Sequence, residues 1–268
     1  MNKTKVFTII GVLLTVIVIG LLCQIFHHMT FAKEQFPSFI QIIKSVPSLV
    51  MLKLEGKTTV FSALGITIWR VIISMFWSLW IGLIFGYILG RYEALWSLIQ
   101  PSADFLRSIP VTFLLPVAAL VSGSLNKKLP AVLALIPCSL IMILQIRVGV
   151  QRISADRRHA FRVLAGNTRA WYSFRYLILP EIAPEIFSGL RLCASYSLVI
   201  ISVLEYMNVG SQHRGFGLFV NQLTQNVIDY PKLFAAILLF GVIGYSFNKM
   251  LELVGNNYSR WRDVRSND

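Results

Sequence analysis

The sequence predicts an all-α integral membrane protein of about six transmembrane helices, with both termini on the cytoplasmic side. Three observations carry this expectation. Of 268 residues, 56% are hydrophobic and only 14% charged, whereas a soluble globular chain is typically about 25% charged. The apolar residues come in runs close to the roughly 20 needed to cross about 30 Å of hydrocarbon. Finally, 25 Lys+Arg face 12 Asp+Glu, a net +13, and in a membrane protein such an excess gathers on the cytoplasmic loops. Long apolar runs exclude a disordered chain. They also argue against a soluble nucleic-acid binder despite a pI near 10.0, so no nucleic-acid partner is expected.

The first span covers residues 6–26, after Lys3 and Lys5. It is not expected to be a signal peptide, because its apolar stretch exceeds the roughly 7–15 residues of a signal core and no small-x-small cleavage site follows. Residues 36–54 are partly amphipathic, through Phe39, Ile42, Ile43, Val46 and Leu49 or Val50, with Pro37 and Pro47 bracketing the first part. A helix lying at the outer interface fits that pattern. Further spans are expected at residues 66–90, 105–121, 129–145, 186–207 and 233–253. Pro110, Pro116, Pro130 and Pro137 interrupt or border the third and fourth, which a membrane helix tolerates when neighbours satisfy the freed backbone groups. The chain thus divides into residues 1–65 (first span and outer segment), 66–254 (transmembrane core) and 255–268 (cytoplasmic tail).

Sorting charge by side fixes the orientation. With the N-terminus inside, 16 basic residues fall inside and 9 outside, so the positive-inside rule gives N-in and C-in. Arg91 and Arg107 are counted inside, Arg70 and Arg214 outside. Half of the inner charge lies in one segment, residues 147–191.

Catalytic and cofactor chemistry finds little support. Cys23, Cys138 and Cys193 all lie within expected spans and act as small apolar side chains. His27 and His28 are adjacent, so they do not share a helix face; a pair at the interface is expected, not a metal site. Gly56-Lys57-Thr58 resembles the end of a phosphate loop, but Met51 stands where that motif needs glycine. His159 has no Ser or Cys neighbour, and the acidic residues are scattered. No cofactor, metal or enzymatic activity is therefore expected.

The second span carries a stripe of small residues, Ser74, Ser78, Gly82, Gly86 and Gly90. A four-residue repeat puts all five on one face, which lets another helix backbone approach closely. The fifth span has a shorter version in Gly189, Cys193 and Ser197. Glu205 stands near the outer end of that span, where an ionisable residue is costly. Two readings remain open for it: a residue lining a translocation path, or an interfacial carboxylate paired with Arg214.

The inner connection between spans four and five is distinctive. Residues 152–164 alternate charge with Ile153, Ala160, Phe161 and Leu164 at helical spacing. Ala165-Gly166-Asn167-Thr168 then breaks the helix, since Gly suits a C-terminal cap and Asn or Thr an N-terminal one. A second stretch, 169–179, holds Trp171, Phe174 and Tyr176, and is closed by Leu179-Pro180 with Pro184 a turn later. So many aromatics imply that the loop docks on something.

This helix–Gly–helix–Leu-Pro arrangement, followed by residues 184–192 (Pro-Glu-Ile-Phe-Ser-Gly-Leu-Arg-Leu), resembles the cytoplasmic "EAA loop" of ABC importer permeases. It is closest to the branch for sulfonates, taurine and nitrate. Leu106-Arg107-Ser108-Ile109-Pro110 with Leu115-Pro116, the stretch from Gly82 to Arg91, Glu205 and the Gly210–Gly217 loop match the same branch, covering about residues 65–255. One feature departs from it: His159-Ala160-Phe161 stands where the family has Glu-Ala-Ala, so the usual charge-assisted contacts of that loop lose their glutamate.

The resemblance implies a permease subunit that works with separate ABC ATPase subunits, an extracytoplasmic solute-binding protein and a second copy of itself, in the membrane lipid of the bacterial inner membrane. It implies that the ATPase contact is made by Arg157, Arg158, His159, Ala160, Phe161, Arg162, Leu164, Ala165, Gly166, Asn167 and Thr168. Gly166 would be the turn, and Leu179, Pro180 and Pro184 would set the return into the fifth span. The solute would be sulfonate-, taurine- or nitrate-like, or vitamin-like. The alternative, a stand-alone secondary transporter, would need internal repeats and midplane ion ligands; no convincing halves are present.

Overall fold

The computed structural model describes residues 18, 20, 24–25, 37–54, 58–114, 129–165, 170–207, 215–226 and 229–263. In chain order these form α1 (Phe39–Met51), β1 (Lys53–Leu54), β2 (Thr58–Thr59), α2 (Val60–Arg91), α3 (Glu93–Ser108), a 3-10 turn (Val111–Leu114), α4 (Leu129–Gln151), α5 (Ala155–Ala165), α6 (Ala170–Ser173), a π turn (Phe174–Ile178), α7 (Leu179–Tyr206), α8 (Phe216–Asn226) and α9 (Tyr230–Asp263). The antiparallel β1–β2 ladder, Lys53 opposite Thr59 and Leu54 opposite Thr58, is a minor addition to an otherwise helical fold.

Among the described residues, four helices are long and apolar enough to cross a membrane: Val60–Arg91, Leu129–Gln151, Trp171–Tyr206 and Tyr230–Tyr258. They correspond to four of the six expected spans, each longer than expected. The expected first span lies almost wholly outside the described residues. The expected third span, 105–121, is not a continuous helix over its described part. α3 starts earlier, at Glu93, and stops at Ser108. Pro110 is the cause: it disfavours helical geometry at the residue before it, and Ile109 is extended with φ −81° and ψ 119°. α9 runs on without a break past residue 254 to Asp263.

α4 is the central helix, with α2 on one side and α7 on the other. The small-residue stripe on α2 is what brings α4 so close. A Cβ added to Gly82 would fall 2.5 Å from Met142 Cβ, one on Gly86 would fall 2.9 Å from the Ile143 carbonyl oxygen, and one on Gly90 would fall 2.8 Å from Val150 Cβ. Ser74 and Ser78 continue the seam and are buried, with hydroxyl oxygens that have no hydrogen-bond partner. On the other flank, a Cβ at Gly189 of α7 would meet Met142 Sδ at 2.7 Å. Met142 is therefore clamped between glycines of two helices. Next to it, Cys138 and Cys193 face each other, each thiol directed at the other's carbonyl at 3.6 and 3.2 Å.

A second core closes the end of the molecule that holds α8. Ile42 and Leu49 of α1, Val60, Ala63 and Leu64 of α2, Phe216, Phe219 and Leu223 of α8, and Ala235 and Ala236 of α9 are buried together. Phe216 stacks on Phe240 at 4.8 Å. Pro47 lies inside α1 and does not bracket it. The helix buries Ile42 and Leu49 against α9 and leaves Ile40 and Ile43 exposed.

Candidate functional site

The end of the molecule that carries α5 is built around arginines. α5 buries none of its residues. Val163 and Leu164 are 82% and 88% exposed, beside exposed Arg158, His159, Ala160 and Arg162; Phe161 and Ala165 are half-buried. Among the described residues, the ties of α5 lie at its base. Arg157 pairs with Glu181 at the start of α7, and the Arg158 Nη2 donates to the Val150 carbonyl at 3.0 Å. Arg152 reaches Glu185 at 3.3 Å. The loop thus makes charge-assisted contacts without a glutamate of its own: it supplies the cations, and α7 supplies the carboxylates. Gly166, Asn167 and Thr168 lie outside the described residues.

The return into α7 differs from the sequence expectation. Leu179 and Pro180 do not close the second stretch. α6, the π turn and α7 follow one another directly, with Leu179 N–H donating to the Phe174 carbonyl, a five-residue step. Pro180 follows the lengthened step of the π turn directly, and Pro184 is absorbed within the helix. The aromatics dock partly: Phe174 meets Tyr87 of α2 edge-on at 5.3 Å and stacks with Trp171 at 5.9 Å. Trp171, Tyr172 and Tyr176 remain exposed.

The opposite end holds a closed polar node. Glu205 on α7 is 2% exposed, and its carboxylate pairs with Arg70 of α2. It also accepts from Thr67 Oγ1 at 2.7 Å and from the Gly217 N–H at 3.2 Å. Thr67 in turn accepts from the Phe216 N–H at 2.8 Å. The node requires glycine at two positions: a Cβ at Gly215 would lie 2.1 Å from Glu205 Cδ, and one at Gly217 would lie 2.1 Å from the Ser202 carbonyl. One expectation is corrected here: Arg70 is not an outer-loop charge but a buried residue three turns into α2. Glu205 is buried against α2 and α8, its side chain without accessible surface and enclosed by three donors, while Arg214, the partner of the interfacial reading, lies outside the described residues. A signal for the node was present in the sequence: Arg70 and then Thr67 continue the Ser74–Gly90 stripe toward the N-terminus by a four-residue and a three-residue step, on the face that packs.

Between the two ends, α3, the 3-10 turn, α4 and α7 border an open cleft of about 800 Å³. Pro137, Leu140, Ile141 and Leu192 give it apolar walls, and Asp104, Arg107, Ser108, Gln145 and Tyr196 add polar groups. The cleft spans residues 136–145 of α4, the middle of a helix that runs from Leu129 to Gln151. At about 1.5 Å per residue, the middle of that stretch lies roughly 16 Å from either end of the helix, and Gln145 lies about 9 Å from Gln151. Arg107 is therefore not an inner-loop charge, as the count by side had it. It stands in the last turn of α3 and lines this cleft beside the middle of α4, with Asp104 at 3.5 Å and both side chains about half exposed. Sequence reasoning also missed the anchors Glu181 and Glu185, and Arg147, whose guanidinium lies 4.3 Å over the Trp96 ring. Among the described residues, no group of three or more His, Cys, Asp or Glu side chains could hold a metal ion.

Comparison with known proteins agrees with this architecture. The family model described as "binding-protein-dependent transport system inner membrane component" matches residues 79–260. The chain is 24% identical over 225 residues to the nitrate import permease protein NrtB of Synechocystis sp. (strain ATCC 27184 / PCC 6803 / Kazusa), covering 81% of this chain and 78% of that one. It is 23% identical over 254 residues to the putative aliphatic sulfonates transport permease protein SsuC of Bacillus subtilis (strain 168), covering 94% and 87%. Among solved structures, the MetNI methionine ABC transporter in inward-facing conformations superposes with a TM-score of 0.58 at 16% identity, over 75% of this chain and 94% of that one. At that identity the likeness speaks for the fold alone. Because the family model spans most of the helical core just described, the chain belongs to the binding-protein-dependent transport system inner membrane components and is a multi-pass permease subunit of an ABC importer.

Proposed function

We propose that this permease carries a small oxyanion, of the nitrate or sulfonate class, and that α5 is its contact with a separate ATPase subunit. ATP hydrolysis then belongs to that subunit, since nothing in the sequence suggests a nucleotide site here. The observation that carries the coupling assignment is the exposure of α5. Val163 and Leu164 present apolar surface to solvent at the tip, while Arg157 holds the base of the helix to α7. An exposed apolar tip on a basic helix is the kind of surface that a partner protein covers.

The same reading assigns six spans with N-in and C-in topology, the first span and the α3 region completing the four long helices. Its support is the clustering of Arg152, Arg157, Arg158, Arg162 and Arg175 at one end, which becomes the cytoplasmic end. The α8 end then faces the solute-binding protein. A second copy of the chain covers the cleft between α3, α4 and α7, so that two half-pathways meet, with lipid around the pair. The substrate class comes from the nitrate and sulfonate permeases among the relatives.

The test is Leu164→Asp combined with Val163→Asp in the assembled transporter. The pair is expected to abolish co-purification with the ATPase while the permease stays folded, because neither side chain is buried. Unchanged co-purification would remove α5 from the interface.

A further inference from the structure

We infer that Arg107 holds the anionic group of the transported solute beside the middle of α4. The inference rests on the reading of the chain as an importer of small oxyanions and adds the residue and the place.

Apart from Arg91 in the last turn of α2, which donates to the Tyr87 hydroxyl at 3.2 Å, four arginines lie along the helices that surround the central seam, and three are committed. Arg70 is buried against Glu205. Arg147 stacks on Trp96 and pairs with Glu93. Arg191 points to the opposite side of α7, where Glu252 lies at 3.7 Å. Arg107 differs from all three. Its side chain is 51% exposed, and its one partner among the described residues is Asp104, at 3.5 Å and also about half exposed. Most of the guanidinium fork is therefore uncommitted, in an open cleft that lies between membrane-crossing helices. Ionisable residues in such a setting face a protein interior or a water-filled cavity, and mark solute pathways.

The cleft also fits the chemistry. A guanidinium offers parallel N–H donors that match two oxygens of a planar or tetrahedral oxyanion. Gln145 and Tyr196 line the same space and can donate to a third oxygen; Ser108 lines it too, with its hydroxyl donating to the Asp104 carbonyl at 2.9 Å. Pro137, Ile141 and Leu192 supply an apolar wall for a short alkyl stem. Asp104 keeps the site from holding an anion too firmly: its carboxylate competes for the same guanidinium. A transport site has to bind well enough to fill and weakly enough to empty.

The experiment uses the complete permease–ATPase complex in lipid nanodiscs, with Cys23, Cys138 and Cys193 replaced by alanine and Ser108→Cys introduced in the cleft. Labelling rates are measured with an anionic sulfonatoethyl and a cationic trimethylammonioethyl methanethiosulfonate reagent. The anion-to-cation rate ratio is expected to fall about tenfold in Arg107→Gln, within the range by which local charge alters encounter rates. It should persist in Arg107→Lys and rise in Asp104→Asn. Methanesulfonate and nitrate should slow labelling, whereas the uncharged isostere dimethyl sulfone should not. A ratio indifferent to Arg107→Gln, or equal protection by dimethyl sulfone, overturns the assignment to Arg107 and leaves the pathway standing. No labelling by either reagent in any background overturns both, because the cleft would then be closed to water.

Discussion

The two ends of α7 handle acidic residues in opposite ways. At one end Glu205 has no accessible side-chain surface, and its donors come from two other helices: Arg70 and Thr67 from α2 and the Gly217 N–H from α8. At the other end Glu181 and Glu185 are nearly as enclosed, at 13% and 6%, but their arginines are not: Arg157 is 38% exposed and Arg152 64%. The charges are of the same kind and differ in what happens when the pair opens. A separated Arg70 stays at the wall of a mostly apolar cleft lined by Trp69, Ile73, Trp77 and Val132. A separated Arg157 or Arg152 turns into water. The first end is therefore a weld between α2, α7 and α8, and the second a tether on which α5 can move while α7 stays folded.

Breaking the weld should give the largest effect. Glu205→Ala leaves Arg70 buried without its partner, a loss of about 3–5 kcal/mol, read as a drop in the midpoint of denaturant unfolding in detergent. The double variant Arg70→Met with Glu205→Leu should recover most of that loss, since apolar replacement of a whole buried pair is often neutral. If the double variant is as damaged as the single one, the node depends on the hydrogen bonds of Thr67 and Gly217 and not on the charge pair. Gly217→Ala should come next, at about 1–3 kcal/mol, because its Cβ would sit 2.1 Å from the Ser202 carbonyl and 2.6 Å from the Tyr206 nitrogen. Both contacts are to backbone that cannot rotate away.

This contrast was only partly legible in the sequence. Four spans stood out because a run of about 20 apolar residues has few other uses. The small-residue stripe marked a face for close packing without naming its partner, and in the structure that partner is α4. What hydropathy hides is a charge whose partner is distant. Arg70 sits 135 residues from Glu205, and a count of charges by side treats it as loop. Arg107 was misplaced for a related reason. Pro110 ends α3 early, so a residue at the end of a helix came to lie beside the middle of α4. Pro180 misled in the other direction. Proline after leucine suggests a helix stop, yet the π turn had already shifted the hydrogen-bonding step and the helix ran on. The Arg157–Glu181 tether was out of reach because the loop's missing glutamate gave no hint that the polarity of its contacts had been reversed.

Gly82 offers a control for the seam that both ends share. Gly82→Val places branched carbons where even a Cβ would stand 2.5 Å from Met142, and about 1–3 kcal/mol should be lost. Gly244→Ala meets only Leu198 Cδ1 at 3.6 Å, an ordinary contact, and within α9 it should be neutral or stabilising by up to about 1 kcal/mol. Similar losses at both glycines would mean that the α2–α4 seam yields and is not the rigid element on which the two ends are mounted.

The smallest effects on stability should come from the tether, where they separate mobility from folding. Arg157→Gln should lower the unfolding midpoint by about 1 kcal/mol or less and Arg152→Gln by only a few tenths, since partly exposed ion pairs are worth little. The informative measurement is instead the rate of limited trypsin cleavage at Arg158 and Arg162 in the permease without its ATPase. If α5 moves by letting go of Glu181, Arg157→Gln should speed cleavage several-fold. High salt should speed the unaltered chain in the same direction, because an exposed guanidinium is screened. Arg152→Gln should have less effect, as its guanidinium already spends most of its surface in water. Equal cleavage in all three would mean that α5 is held by the Arg158 bond to the Val150 carbonyl, a contact indifferent to Glu181. The tether would then be a backbone clasp, and the difference between the two ends of α7 would lie in geometry and not in the exposure of charge.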